Sequence, residues 1–210
     1  MITDSFDSNS NSKINPHLKE NAPEVDTCII TFSHIIEKYV LEHYDLKIIG
    51  QSIAVTGNLP IYSFSHSGNE YAFLKTYAGA PACVATIEDT LSEIKTDQYI
   101  VFGGSGCLDK EIAHGKVMIP TEAYRDEGTS YHYMSASDYV AVKNADVVAT
   151  FMEEKKIPYI KGKTWTTDSF YRETEHIWRN SDGQHKGTQH DPAHFEIALA
   201  LADYINEKID

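Results

Sequence analysis

Blocks of apolar and polar positions along the chain predict strands and helices in turn. Thr27–Thr31 is a short apolar run typical of a buried strand, and Ser33 stands where an N-cap belongs, before the helix-period stretch HIIEKYVLEHY. Three β-rich stretches follow, separated by glycine-containing turns, and they predict a strand meander: Lys47–Thr56, Leu59–His66 and Glu70–Tyr77.

The same alternation continues to the end of the chain. The pattern predicts a helix opened by proline, then two strands, a helix, a strand and a terminal helix: Ala82–Ile94, Gln98–Phe102, Val117–Pro120, Ala145–Lys156, Tyr159–Thr166 and Ala193–Ile209. Strands alternating with helices favour α/β layers with a mostly parallel sheet. Residues 1–13 are polar and low in complexity, so we expect a disordered tail followed by one domain over residues 14–210.

Composition narrows the classes of partner. The formal net charge is −13, which argues against nucleic acid or an anionic membrane as a partner, because both require clustered Lys and Arg. No apolar run is long enough to span a bilayer, and the three scattered cysteines fit a reduced, cytoplasmic setting. A small anion is still compatible with this charge, since a glycine loop or a helix N-terminus holds one locally.

The most informative stretch for function is the strand that runs into FGGSGCLD. A glycine-rich turn after a buried strand leaves backbone N–H groups to face an anion at the carboxyl end of the sheet, which makes Gly104 and Ser105 candidate phosphate-binding residues. Such turns are more often plain connections, so this signal alone is weak.

Four segments in a fixed order carry a resemblance to a known family: NPHLKENAPEVDTCIITFS, GAPACVATIEDTL, FGGSGCLDKEIAHGKVMIPTEAYRDEGTSYHY and KGKTWTTDSFYRET. Together they cover most of residues 14–179. The chain resembles the nucleoside phosphorylases of the purine nucleoside phosphorylase and uridine phosphorylase type. The resemblance implies a single-domain, three-layer α/β sandwich with a central mixed, mostly parallel sheet flanked by helices.

The resemblance also implies an activity and roles for individual residues. Phe170 would stack on the nucleobase, Arg172 and Glu173 would bind the base edge, and His17 would reach the ribose 5′-hydroxyl of a neighbouring subunit. Inorganic phosphate would be the co-substrate, with no other cofactor, and the protein would be a homo-oligomer, a dimer or a trimer of dimers. From the residues alone, Phe170 could instead be a core phenylalanine, Arg172 and Glu173 solvated surface charges, and His17 an inert histidine.

Two departures from the family pattern concern phosphate and catalysis. The arginines that hold phosphate in the family are missing: Ile36 and Val101 stand about where two belong, and Ile49–Ala54 holds no third. A strand–helix–strand segment of roughly 30 residues, with the ribose-binding glutamate and the general acid, is also not found near residues 180–185. Either the chain is truly shortened, or two parts of a longer sequence are joined there. No catalytic residue is therefore assigned.

Other charged groups support local interpretations. Arg125, Asp126 and Glu127 are expected to form an internal ion pair that fixes their loop rather than to act in catalysis. Three histidines near the end of the chain suggest a metal, but no third ligand has suitable spacing and we predict none: His185, His190 and His194.

Three hypotheses follow from these residues. The first is a nucleoside phosphorylase that cleaves the N-glycosidic bond of a purine or pyrimidine ribonucleoside with phosphate. The second is a hydrolytic nucleosidase on the same fold, which the missing arginines favour. The third is a non-catalytic nucleoside-binding relative. The sequence does not distinguish purine from pyrimidine.

Overall fold

The computed structural model describes residues 1–54, 57–107, 115–173 and 191–209. The chain divides into two compact units. The five-strand unit comprises the described residues of Asn11–Ala78, Ala82–Gly104 and Gln189–Asp210. The three-strand unit comprises those of Met1–Ser10, Gly79–Pro81 and Ser105–Thr188.

The five-strand unit contains a mixed sheet with strand order β2-β3-β4-β1-β5. Its strands are β1 Thr27–Thr31, β2 Lys47–Ala54, β3 Gly57–His66, β4 Asn69–Lys75 and β5 Tyr99–Phe102. Strand β1 is fully buried and pairs in parallel with both β4 and β5, whereas β2, β3 and β4 form the predicted antiparallel meander. A buried strand between two parallel neighbours reads as a continuous apolar run, and TCIIT has that form.

Helices cover both faces of this sheet. They are α1 His34–His43, α2 Ala80–Glu93 and α4 Ala193–Ile209, and α3 belongs to the other unit. On one face, Ile36 and Val40 of α1 share a core cluster with Phe195 and Leu199 of α4. On the other face, Ile94, which directly follows α2, lies in a second cluster against the sheet. Helix, sheet and helix therefore form the expected three layers within this unit.

The terminal helix is fixed by a ring cluster and by a polar network. Phe195 is fully buried and meets Tyr44 and Phe73 edge to face, with ring centroids 5.3 and 5.5 Å away. The Tyr71 hydroxyl donates to Asp203 at 2.6 Å and accepts from Asn206 at 3.1 Å. Burial and the Asp203 carboxylate raise the pKa of Tyr71, so its hydroxyl stays a proton donor to the helix.

The three-strand unit has strand order β7-β6-β8, with β6 Val117–Asp126, β7 Tyr139–Ala141 and β8 Tyr159–Thr167. Strands β6 and β8 are parallel, and β7 is antiparallel to β6. Helix α3, Ala145–Glu154, carries the buried side chains Ala149, Phe151 and Met152.

The predicted α/β class with a mixed sheet flanked by helices is confirmed. Among the described residues, three strand pairs are parallel and three antiparallel. The extent of the single domain and the disordered tail at residues 1–13 stay predictions. The segment expected to be missing near residues 180–185 lies outside the described residues. No helix in the described part of the chain is long and apolar enough to cross a membrane.

Candidate functional site

The carboxyl ends of three adjacent parallel strands meet in the five-strand unit. Thr31, the last residue of β1, is in register with Lys75 of β4 on one side and Phe102 of β5 on the other. Gly103 and Gly104 follow Phe102 directly. Ligands of open α/β sheets bind outside these strand ends, so this row is the natural place for a site in this unit.

A ring packs closely against the glycine turn. A Cβ added to Gly103 would lie 2.9 Å from Cδ2 of Phe32, which follows β1. Only glycine admits this approach. Gly104 and Ser105 come next in the chain and are exposed, with Gly104 counted in the five-strand unit and Ser105 in the three-strand unit. Their assignment to phosphate stays a prediction.

The residues at the expected arginine positions have ordinary packing roles. Ile36 is 1% exposed and belongs to the core between α1, α4 and the sheet. An arginine at that position would carry its charge into the core, where an unpaired charge is costly. Val101 is 46% exposed on β5. Its exposure leaves room for a larger side chain, so the structure gives no packing reason for a valine there.

His17 lies in the five-strand unit on an exposed stretch before β1. Two residues later, the Lys19 ammonium pairs with the Glu93 carboxylate at 2.6 Å, and the Lys19 backbone N–H donates to the Ser92 carbonyl at 3.0 Å. A Cβ on Gly50 would lie 2.9 Å from Glu93 Oε2, so β2 also closes around this pair. These contacts tie the stretch next to His17 to the end of α2. The role of His17 stays a prediction.

In the three-strand unit, the carboxyl ends of β6 and β8 lie side by side. Asp126 is in register with Thr167, and the Trp165 indole N–H donates to Asp126 Oδ2 at 3.1 Å. The Asp168 carboxylate accepts from the Gly128 backbone N–H at 2.9 Å. Neither Trp165 nor Asp168 was assigned a role from the sequence. Trp165 lies within β8 and Asp168 directly follows it, so the predicted end of this strand is the signal that marks them.

Arg125 is buried and holds its own loop rather than a ligand. Its Nε donates to Ser130 Oγ at 2.8 Å, its Nη1 to the Ser135 carbonyl at 2.7 Å, and its guanidinium lies 4.1 Å from the centroid of the Tyr131 ring. The predicted loop-fixing role is therefore right, but the predicted ion pair is wrong. The guanidinium binds hydroxyl and carbonyl oxygens instead. Arg125 lies in β6, which extends to Asp126, and the loop that follows brings these oxygens to it.

The acidic residues next to Arg125 accept hydrogen bonds from other donors. Glu127 accepts hydrogen bonds from both the backbone N–H and the hydroxyl of Ser130, and Asp126 accepts from Trp165. The loop after β6 is thus a closed network of hydrogen bonds. Its charged groups are used in holding the loop in place, which agrees with leaving the catalytic residue unassigned.

Phe170, Arg172 and Glu173 share one short turn after β8. Phe170–Arg172 forms a 3₁₀ turn in which the Arg172 N–H donates to the Ser169 carbonyl at 2.7 Å. Phe170 is 62% exposed and its ring meets Tyr171 edge to face at 5.4 Å. A phenylalanine this exposed is not a core residue, so the structure removes that alternative. The contact of Phe170, Arg172 and Glu173 with a nucleobase stays a prediction.

Burial affects the reactivity of two of the three cysteines. Burial raises the pKa of the Cys28 thiol strongly and that of Cys83 as well, so neither is a ready nucleophile. In the described part of the chain, no group of three or more His, Cys, Asp or Glu is arranged to hold a metal ion. His194 lies at the start of α4, and His185 and His190 lie outside the described residues.

Comparison with known proteins gives a family match over most of the chain. The model of the family described as the phosphorylase superfamily matches residues 40–191. A guanosine phosphorylase of Halorubrum lacusprofundi is 25% identical over 134 residues, which are 62% of this chain and 55% of that protein. A uridine phosphorylase of Thermococcus kodakarensis is 32% identical over 109 residues, 50% of this chain and 39% of that protein. The chain spans about half the length of the curated relatives it matches.

Solved structures with the same fold include uridine phosphorylase of Vibrio fischeri. One crystal structure of that protein matches with a TM-score of 0.60 at 20% identity, over 96% of this chain and 82% of that one. A second, complexed with 6-hydroxy-1-naphthoic acid, matches with a TM-score of 0.61 at 19% identity, over 91% of this chain and 78% of that one. At this identity the likeness supports the fold.

Proposed function

The chain belongs to the phosphorylase superfamily, and from that premise we propose that it cleaves the N-glycosidic bond of a ribonucleoside with inorganic phosphate. The C1′–N bond breaks, a phosphate oxygen forms a new bond to C1′, and the base leaves with a proton. The products are the free base and ribose 1-phosphate. Its relatives include both guanosine and uridine phosphorylases, so purine and pyrimidine nucleosides are both candidate substrates.

The observation that carries this proposal is the exposed ring of Phe170 at the carboxyl end of β8. A flat aromatic face with little burial is suited to stacking on a heterocyclic base, and such a contact is worth about 0.5–1.5 kcal/mol beyond the area it covers. Arg172 and Glu173, on the same turn, supply a donor and an acceptor for the base edge. Gly104 and Ser105 supply backbone and hydroxyl donors for phosphate.

The test is to measure base release from guanosine, inosine, adenosine and uridine, each with and without phosphate. The free base is quantified by chromatography. We expect release that requires phosphate and yields one ribose 1-phosphate for each base. Phe170→Ala should raise KM for the nucleoside and leave KM for phosphate unchanged, whereas Tyr171→Ala serves as the matched control. Absence of phosphate-dependent release from all four nucleosides would overturn the proposal.

A hydrolytic nucleosidase is the second candidate, favoured by one specific observation. At the expected arginine positions the structure has Ile36 in the core and Val101 on β5, so phosphate lacks its usual guanidinium partners. Water would then attack C1′, and the sugar product would be ribose. Reaction in ¹⁸O-labelled water separates the two candidates, because hydrolysis places the label on ribose and phosphorolysis does not. Nucleoside binding without any turnover would instead identify a non-catalytic relative.

We also place the activity in a homo-oligomer, a dimer or a trimer of dimers, in the cytoplasm. His17 is exposed next to the anchored Lys19, which suits a side chain that completes the site of a second copy. Mixing His17→Ala chains with Phe170→Ala chains tests this arrangement. If sites are shared, the mixture at low nucleoside concentration turns over faster than the average of the two variants, whereas independent sites give that average.

A further inference from the structure

Lys75 has a distinctive place in the five-strand unit. It is the last residue of β4, in register with Thr31 of β1, which is in turn in register with Phe102 of β5. Two strand spacings of about 4.8 Å place the Cα of Lys75 roughly 10 Å from that of Phe102, just before the glycine turn. Lys75 is the only Lys or Arg among the last residues of these three strands and the two residues after each, all of which are described.

The Lys75 ammonium is shielded from solvent but loosely paired. Its side chain is 19% exposed, and Nζ lies 3.4 Å from Glu37 Oε2 in the first turn of α1. Lys19 pairs more closely with Glu93, at 2.6 Å, and Lys163 with its carboxylate partner, at 2.7 Å, whereas the exposed Lys38 lies 3.7 Å from its partner. A charge-assisted hydrogen bond spans about 2.7–2.9 Å, so the contact of Lys75 with Glu37 is an ion pair without that close approach.

One aromatic ring lies near the Lys75 ammonium. Lys75 Nζ lies 5.7 Å from the centroid of the Tyr77 ring, which is 40% exposed. The side chain of Glu37 is 22% exposed, so both members of the ion pair are only partly hydrated. Burial, and then the negative charge of Glu37, raise the pKa of Tyr62 on the neighbouring strand. A cation in such a setting binds an anion more strongly than a fully hydrated one does.

We propose that Lys75 is the cation that binds the phosphate co-substrate, with Glu37 holding its ammonium in place while the site is empty. This inference rests on the proposed function, because it names the residue that replaces the missing arginines at the phosphate end. One ammonium is a point charge without the fork of a guanidinium, so phosphate binds weakly. The Glu37 carboxylate repels the arriving anion and weakens its binding further.

The pair gives a test in which two neutralising substitutions act in opposite directions. We expect Lys75→Met to weaken phosphate binding about 10-fold or more, since a charge-assisted hydrogen bond is lost. We expect Lys75→Arg to remain within about 3-fold of the parent and Glu37→Gln to bind phosphate about 2- to 10-fold more tightly, because one repelling charge is removed. A purely structural pair predicts that neither substitution changes phosphate affinity, or that both weaken it.

The measurement is calorimetric titration of the full chain with inorganic phosphate at constant ionic strength. Lys38→Met is the matched control. Lys38 is on α1, the helix that carries Glu37, its side chain is 75% exposed, and its Nζ lies 3.7 Å from Glu42 Oε1. Circular dichroism and thermal unfolding verify that each variant is folded. Should Lys75→Met fail to fold, Glu37→Gln still decides the matter, because tighter phosphate binding is expected and unchanged or weaker binding overturns the proposal. Absence of phosphate binding by the parent chain overturns the proposal.

Kinetics separates this inference from the function on which it rests. If nucleosides are cleaved with phosphate and Lys75→Met leaves KM for phosphate unchanged, the role of Lys75 is refuted while the phosphorylase function stands. If phosphate binds through Lys75 and no base is released, the phosphorylase function is refuted while the binding site stands.

Discussion

Replacing Arg125 by methionine removes the central donor of the loop after β6, and we expect a large loss of stability. The guanidinium is 5% exposed and donates to four acceptors in the next twelve residues: Ser130 Oγ, Ser135 O, Ser137 Oγ and Met134 O, at 2.8, 2.7, 3.1 and 3.3 Å. Methionine keeps most of the apolar length of the side chain. The substitution therefore removes mainly polar contacts and the stacking on Tyr131.

The magnitude follows from the groups left behind. Each neutral acceptor that loses its donor costs on the order of 1 kcal/mol, and some of the four regain water because the loop is partly exposed. We expect Arg125→Met to lower the free energy of unfolding by about 2–4 kcal/mol. Lysine keeps the charge but not the fork, so Arg125→Lys should cost about half as much.

The assay is urea unfolding followed by circular dichroism and by tryptophan fluorescence. Trp165 reports on this region because its indole N–H binds Asp126, the next residue after Arg125. Arg172→Met is the control, because Arg172 is exposed, and its stability should change by less than about 0.5 kcal/mol. A loss below about 1 kcal/mol for Arg125→Met, with phosphate or nucleoside binding abolished, would refute the structural role and make Arg125 a ligand-binding residue.

Three further predictions concern the base site, the N-terminal contact and a buried phenol. Phe170→Ala should weaken nucleoside binding about 3- to 10-fold with little change in stability, by isothermal titration, since the ring is 62% exposed; an equal effect of Tyr171→Ala would contradict a specific stacking role. Gly50→Ala should lower stability by about 1–3 kcal/mol in urea unfolding, because its Cβ would lie 2.9 Å from Glu93 Oε2; a neutral result would show that Glu93 moves away freely. Tyr99→Phe should raise stability by about 1 kcal/mol at pH 8, since its buried hydroxyl has no hydrogen-bond partner among the described residues. Burial also raises the pKa of Tyr99 to about 12, so the stability that its neutral form contributes is complete below about pH 10 and is lost as the pH rises through 12. The advantage of phenylalanine should therefore grow between pH 8 and 11, and an advantage that shrinks would contradict this assignment.

Elements with a strong period were predictable from the sequence. The apolar run of β1, the capped helix α1 and the terminal helix α4 have the expected bounds to within one or two residues. In α1 the Ser33 hydroxyl accepts from the Ile36 N–H at 3.4 Å, so the capping signal is a real contact. Burial of one face determines the pattern of the two helices, and burial of both faces determines the continuous run of β1.

Strand β6 shows where sequence patterns fail. The pattern ends the strand at Pro120, but the structure continues it to Asp126. Proline lacks an N–H and is tolerated beside a bulge, and here the register shifts between Pro120 and Glu122. The polar residues beyond Pro120 are held by pairing with β8 and the three-residue β7, whose partner residues are 15 to 41 positions away in the chain. Local patterns contain no signal for such pairing.

The sequence places two groups of candidate residues at strand ends, and their binding roles stay predictions. Phe170 and the glycine turn lie at strand ends, where the rule for α/β sheets places ligands. The loop-fixing role of Arg125 was predictable, but its partners were not, because they are loop carbonyls and hydroxyls brought to it by folding. Lys75 was not singled out, since its importance depends on being in register with Thr31 and on the loose pair with Glu37.

The central claim is that this chain cleaves nucleosides with phosphate, and one measurement tests it most directly. The full chain is incubated with guanosine or uridine over a series of phosphate concentrations, and base and ribose 1-phosphate are quantified together. The account predicts that both products appear in equal amounts and rise with phosphate to saturation. Base release that is independent of phosphate and yields ribose, or no release from either nucleoside, would contradict it.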